Sequence, residues 1–156
     1  MTDNAKDAQE IGQLTVEQLQ RMANEPAEAA AQIAAVLHAL TGGDEETQWA
    51  LETLENCGTL PSDSLVSIAD LTNHPAELVA AWACKLIARS GPEAAWTESY
   101  LTATLAARTE ERVREEAARA LGRIGATSVA ARDALAAAAQ QGGPRLKRLA
   151  TASLDG

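Results

Sequence analysis

The side chains able to act as nucleophiles, general acids or metal ligands are few and scattered. The 156-residue chain has two histidines and two cysteines. His38 sits in the apolar run Ile33-Ala-Ala-Val-Leu-His-Ala-Leu40 and is expected to be a partly buried structural residue. His74 precedes Pro75 in a turn and is expected to be exposed. Neither has a cysteine or carboxylate at metal-ligand spacing, so no metal site is predicted. Cys57 and Cys84 lack CxxC spacing. They are expected to be reduced and partly buried, with a disulfide as the alternative. Gly42-Gly43 and Gly142-Gly143 lack the lysine and strand context of a phosphate loop. No GxSxG elbow occurs, and no serine or cysteine stands in a recognisable setting with a histidine. Glu45-Glu46 and Glu110-Glu111 open helices, where carboxylates favour the positive end of the dipole. The sequence predicts no catalytic residue, no metal and no cofactor.

Charge carries more information. The formal charge is −9. Residues 1–107 hold 16 acids and 4 bases, whereas residues 108–156 hold 6 acids and 9 bases. Such asymmetry orients a partner or a second copy, or reflects drift on a solvated surface. Arg108, Arg112, Arg119, Arg123, Lys147 and Arg148 make the C-terminal third basic. Arg119 is expected to pair with Glu115 or Glu116 one helical turn away. A phosphate-binding groove requires net positive charge that the whole chain lacks, so no nucleic acid is predicted as partner.

Alanine dominates the chain with 35 residues, and aromatics are only 3%. Alanine is the best helix former, and a β-face needs the branched and aromatic residues scarce here. The chain is therefore expected to be all-α. No run spans a bilayer and the polar N-terminus is not a secretory signal, so no membrane association and a cytoplasmic location are expected. Three segments share one pattern: Thr47–Gly58, Ala80–Gly91 and Arg114–Gly125. Eight residues before each glycine stands Ala50, Ala83 or Ala117; four before it stands Leu54, Ile87 or Leu121. The glycines fit helix C-terminal caps. Second helices are expected over residues 61–71, 92–107 and 126–140, and a degenerate fourth copy over 145–156. Residues 15–24 and 26–40 read as one further pair, with Asp44 a candidate N-cap for the helix that follows. A pair of about 33 residues cannot bury its faces alone, so stacked pairs form a solenoid.

The stretch Val113-Arg-Glu-Glu-Ala-Ala-Arg-Ala-Leu-Gly-Arg-Ile-Gly125 resembles a HEAT-like repeat, in the short bacterial variety also found in phycobilisome lyases. Residues 80–91 and 47–58 match it more weakly. The resemblance covers about 44–156 and implies a right-handed α-α superhelix of about four helix pairs, commonly a binding scaffold, with no catalytic residue. The expected organisation is a disordered tail over 1–12 and one solenoid domain over 13–156. In that domain residues 13–43 cap the repeats of 44–156.

The four aromatics then acquire positions. Trp49 and Trp82 stand nine residues before their glycines, at the flank of the apolar stripe. They either pack between repeats, close to one another, or form an exposed partner patch. Trp96 and Tyr100 lie on a second helix where neighbouring units carry Asp63 and Ser67, or Ala130 and Ala134. In HEAT-like solenoids second helices line the concave surface, so these two either sit mid-groove as anchors or fill space beside small alanines. The leading expectation is a non-catalytic scaffold that binds a protein or peptide through Trp96, Tyr100, Trp49 and Trp82. A phycobilin-lyase-like protein handling a tetrapyrrole is the alternative.

Overall fold

The structure, a computed structural model, describes residues 13–58 and 60–156. The expected tail over 1–12 lies outside the described residues. All regular structure among the described residues is helical. The chain divides into two compact units, Met1–Ser64 and Leu65–Gly156.

In the first unit, α1 (Val16–Ala23), α2 (Pro26–Ala31), α3 (Ile33–Ala39) and α4 (Asp44–Asn56) follow one another. Thr15 and Gln18 start α1 with reciprocal side-chain-to-backbone bonds of 3.1 and 2.8 Å, satisfying two N–H groups that the helix cannot. Leu19 and Met22 of α1, Val36 and Leu37 of α3, and Ala50 and Leu54 of α4 are buried. Two expectations shift here. Gly43 rather than Asp44 takes the N-cap position of α4, and Glu46 Oε2 accepts from the Gly43 N–H at 3.1 Å. The helix expected over 26–40 breaks at Gln32. There the Ser64 hydroxyl donates to the Ala30 carbonyl at 3.1 Å, and a side chain inserted into the ladder is a recognised source of kinks.

α5 (Ser62–Leu71) begins at the boundary between the units. The second unit continues with α6 (Glu77–Ser90), a 3-10 segment Gly91–Thr97, α7 (Glu98–Ala107), α8 (Glu111–Ile124), α9 (Val129–Gln141) and α10 (Pro144–Asp155). First helices α6, α8 and α10 lie side by side in that order, and second helices α7 and α9 pack against each other. This is the layering of a HEAT-like α-solenoid. Alanine sets the spacing: Ala80, Ala83, Ala117, Ala118, Ala120 and Ala150 are fully buried, and their small side chains bring backbones close. Gly58, Gly91 and Gly125 all have positive φ. At Gly125 the geometry is a full Schellman motif, with Ala126 N–H on Leu121 O and Gly125 N–H on Gly122 O.

The segment expected to open one long helix, 92–107, starts as 3-10 structure. Ala94 and Thr97, three residues apart, are both fully buried against α6 and α8, and side chains at i and i+3 eclipse in a 3-10 turn. The helix expected from 126 starts at Val129. Ser128 caps it, its hydroxyl accepting from Ala131 N–H at 3.1 Å.

The repeat period is also written in hydrogen bonds. Within the first unit Thr53 Oγ1 reaches Leu19 O (3.0 Å) and Asn56 Nδ2 reaches Ala23 O (3.3 Å), 34 and 33 residues back. Within the second, Arg108 donates to His74 O, Ser128 N–H to Glu98 (3.0 Å), Gly143 N–H to Glu111 (2.6 Å) and Ser153 Oγ to Ala118 O (2.7 Å), over 34, 30, 32 and 35 residues. Each bond satisfies a polar group at a helix end or crossing and fixes one repeat against the one before it.

Candidate partner-binding surface

Trp96 and Tyr100 stand on the second-helix side of the second unit, 47% and 39% exposed. Their rings meet edge to face, centroids 6.3 Å apart and planes at 89°, an orientation that aromatic quadrupoles favour. They continue along α7 into exposed Ala103 and Ala107, a stripe at helical spacing. The packed neighbour α9 carries Ala130, Ala134 and Ala137 at matching positions, with Ala130 and Ala137 exposed and Ala134 half-buried. Val129, at the start of α9, is 76% exposed. Two adjacent helices thus present apolar outward stripes with the aromatic pair at one end. In α5 the matching Asp63 and Ser67 are exposed. The alanine contribution was not legible in the sequence, because α9 is alanine on its buried and exposed sides alike.

The other two tryptophans are placed differently. Trp49, in the first unit, is half-buried. Trp82 is 2% exposed and lies under two cations of its own helix, Lys85 Nζ at 4.2 Å and the Arg89 guanidinium at 5.5 Å from the ring centroid. Of the two readings for Trp82, packing describes it; no part of the ring is open to a partner. Its Nε1–H has no hydrogen-bond partner among the described residues. Glu116, at the same repeat position in α8, is also buried, and its Oε2 is likewise without a partner. Burial pushes the Cys84 thiol up to about 12, and the Glu116 charge adds to the shift. Cys84 therefore stays a protonated core residue rather than a nucleophile. Cys57 and Cys84 are both buried thiols.

The ion pairs differ from expectation. Glu115 pairs with Arg145 of α10 at 3.4 Å, and Glu116 points into the core, so neither meets Arg119. The packing of α8 between α6 and α10 turns both carboxylates sideways, leaving Arg119 exposed. Arg108 makes a two-point ionic junction. It forks onto Glu110 at 2.9 and 2.8 Å and donates to His74 O. That guanidinium holds the Glu110 carboxyl down at about 2. The histidines exchange their expected environments. His38 is exposed, because α3 buries Val36, Leu37 and Ala39 around it and leaves position 38 outward. His74 is half-buried, its Nδ1 accepting from Ala76 N–H at 3.0 Å.

No helix among the described residues is long and apolar enough to cross a membrane. No curated protein and no solved structure matches the chain. The family model for HEAT repeats matches residues 62–155; that match does not single out the phycobilisome-lyase variety. Helices repeating every 33 or 34 residues, joined by hydrogen bonds that span 30 to 35 residues and matched by the family model over most of the chain, place this protein in the HEAT repeat family.

Proposed function

We propose that this protein is a non-catalytic scaffold that binds a protein or peptide on the second-helix face of its second unit. HEAT repeats form helical scaffolds often used for protein interaction. The observation that carries the reading is the exposed edge-to-face pair Trp96–Tyr100 at the head of two apolar stripes. Large aromatics are costly to leave in water and are the usual anchors of interfaces. The alanine stripes beside them give a backbone or an apolar side chain close access.

The double change Trp96→Ala and Tyr100→Ala tests it. Both side chains are more than one-third exposed, so the thermal melt is expected to stay close to the parent's. Capture from the native host with quantitative mass spectrometry is expected to return proteins bound by the parent and lost with the variant. For a purified partner, affinity should fall by about 2 kcal/mol or more, the range of hot-spot truncations. A large drop in melting temperature with unchanged capture would refute the surface.

A further inference from the structure

The first helices of the two units, each taken by itself, carry a charge pattern that the aromatic face lacks. Glu45 in α4 and Arg112 in α8 both stand 13 residues before their glycines, Gly58 and Gly125; Glu52 and Arg119 both stand six before. The same two positions of the repeat are therefore acidic in the first unit and basic in the second. All four side chains are exposed and have no hydrogen-bond or ion-pair partner among the described residues. Each pair spans seven residues, about 10.5 Å along its helix, so the two sets match in spacing as well as sign. Around them the contrast continues. α4 has five acids and no base. Arg123 of α8 and Lys147 and Arg148 of α10 are exposed. Glu111 accepts from the Gly143 N–H and Glu115 pairs with Arg145, so neither forms an ion pair with these cations.

We infer that the outward face of α8 and α10 docks a second copy of this chain, with the outward face of α4 as its counterpart, Glu45 and Glu52 opposing Arg112 and Arg119. The complement of the basic stripe is on the chain itself, at matched repeat positions. A nucleic acid would have to meet the same stripe on a chain of charge −9. Exposed ion pairs are individually weak and screened by salt, so the association depends on several acting together and is reversible by ionic strength.

The test is the mass of the full chain by sedimentation and light scattering. At about 0.01 M salt, where screening is long-ranged, the parent is expected above monomer mass; at about 1 M it is expected to be monomeric. Two charge-reversed variants, Arg112→Glu with Arg119→Glu and Glu45→Arg with Glu52→Arg, should each be monomeric at low salt with an unchanged melt, because each then carries two like-charged faces. Mixing the two variants should restore the assembly, because opposite faces again meet. A parent monomeric at low salt up to its solubility limit overturns the inference. So does association that survives either reversal, or a mixture that stays monomeric. A monomeric parent that binds poly-glutamate through the same arginines also overturns it and gives the face to an acidic segment of another protein.

Discussion

α8 and α10 occupy the same place in consecutive repeats, 33 residues apart, yet they are buried to different depths. Val113 and Ala117 of α8, and Leu146 and Ala150 one repeat later, are all fully buried. Beyond that pair the helices part. Ala118, Ala120 and Leu121 are fully buried, while their counterparts Thr151, Ser153 and Leu154 are exposed or half-buried. α8 packs on α6, α7 and α10; α10 packs on α8 and α9. The repeat pattern thus specifies the inward positions, and the number of neighbours decides how far burial spreads to the flanks. The outward side of α10 is accordingly polar, with Arg145, Lys147, Arg148 and Thr151 exposed.

The largest effect should come from overfilling the inner position. Ala117→Leu is expected to cost on the order of 1–3 kcal/mol, because extra methylenes in a closed site force neighbours apart. Ala150→Leu, at the equivalent place in α10, should cost clearly less, because the flanks of that helix are exposed or half-buried and leave it room to shift. Urea unfolding of the two variants checks this, and equal losses would erase the distinction between inner and terminal helix.

A smaller effect is expected where α10 touches α8. A Cβ on Gly122 would stand 3.0 and 3.1 Å from Ser153 Cβ and Cα. Gly122→Ala ought to favour an isolated helix by about 1 kcal/mol. Here we expect net destabilisation, read as faster amide exchange in α10 with α6 little changed. In the parent, α10 amides should already exchange before those of 113–124, since fewer of its side chains are buried. Equal protection of the two helices, or a stabilised Gly122→Ala variant, would contradict the gradient.

The smallest effect concerns the ionic tethers of the same two helices. Arg108 holds Glu110 at the entry to α8 with two short contacts, whereas Arg145 meets Glu115 once, at 3.4 Å, and is 58% exposed. Arg145→Ala should lie within about 0.5 kcal/mol of the parent, as exposed pairs do. The Glu110 carboxyl titrates at about 2 in the folded chain, below its ordinary value of about 4.3. A lowered folded value gives stability that is complete above about pH 4.3 and lost as pH falls toward 2. Arg108→Gln should flatten that part of the stability curve relative to the parent. Parallel curves for parent and variant from pH 5 to 2 would remove Arg108–Glu110 as a tether.

Much of the architecture was legible because local chemistry and packing ask for the same residues. The glycines at 58, 91 and 125 end helices at positive φ, and the aliphatic residues before them point inward wherever a neighbour exists. The exposed aromatic pair was legible by comparison across copies, since Asp63 and Ser67 at matching positions mark solvent. The alanine stripes beside it were not, because alanine satisfies a helix on either side and gives no contrast. Arg119 was misread for a related reason. Spacing along one helix identifies possible partners, but Glu115 and Glu116 were drawn off by the helices on either side.

What the sequence by itself determined is the repeat: its helices, their capping glycines and the inward stripe, all set by interactions within about 33 residues and common to every copy. What only the tertiary structure decided is which flanks become interior. Trp82 and Glu116 share a repeat position and are both buried with an unpartnered polar atom, although one is aromatic and the other charged. The break at Gln32 lies beside the Ser64 bond to the Ala30 carbonyl, and the 3-10 segment from Gly91 lies where Ala94 and Thr97 are buried against other helices. The physical reason is the same in each case. Propensity and periodicity act along one helix, whereas burial, kinks and ion pairing depend on the side chains that other helices bring to it.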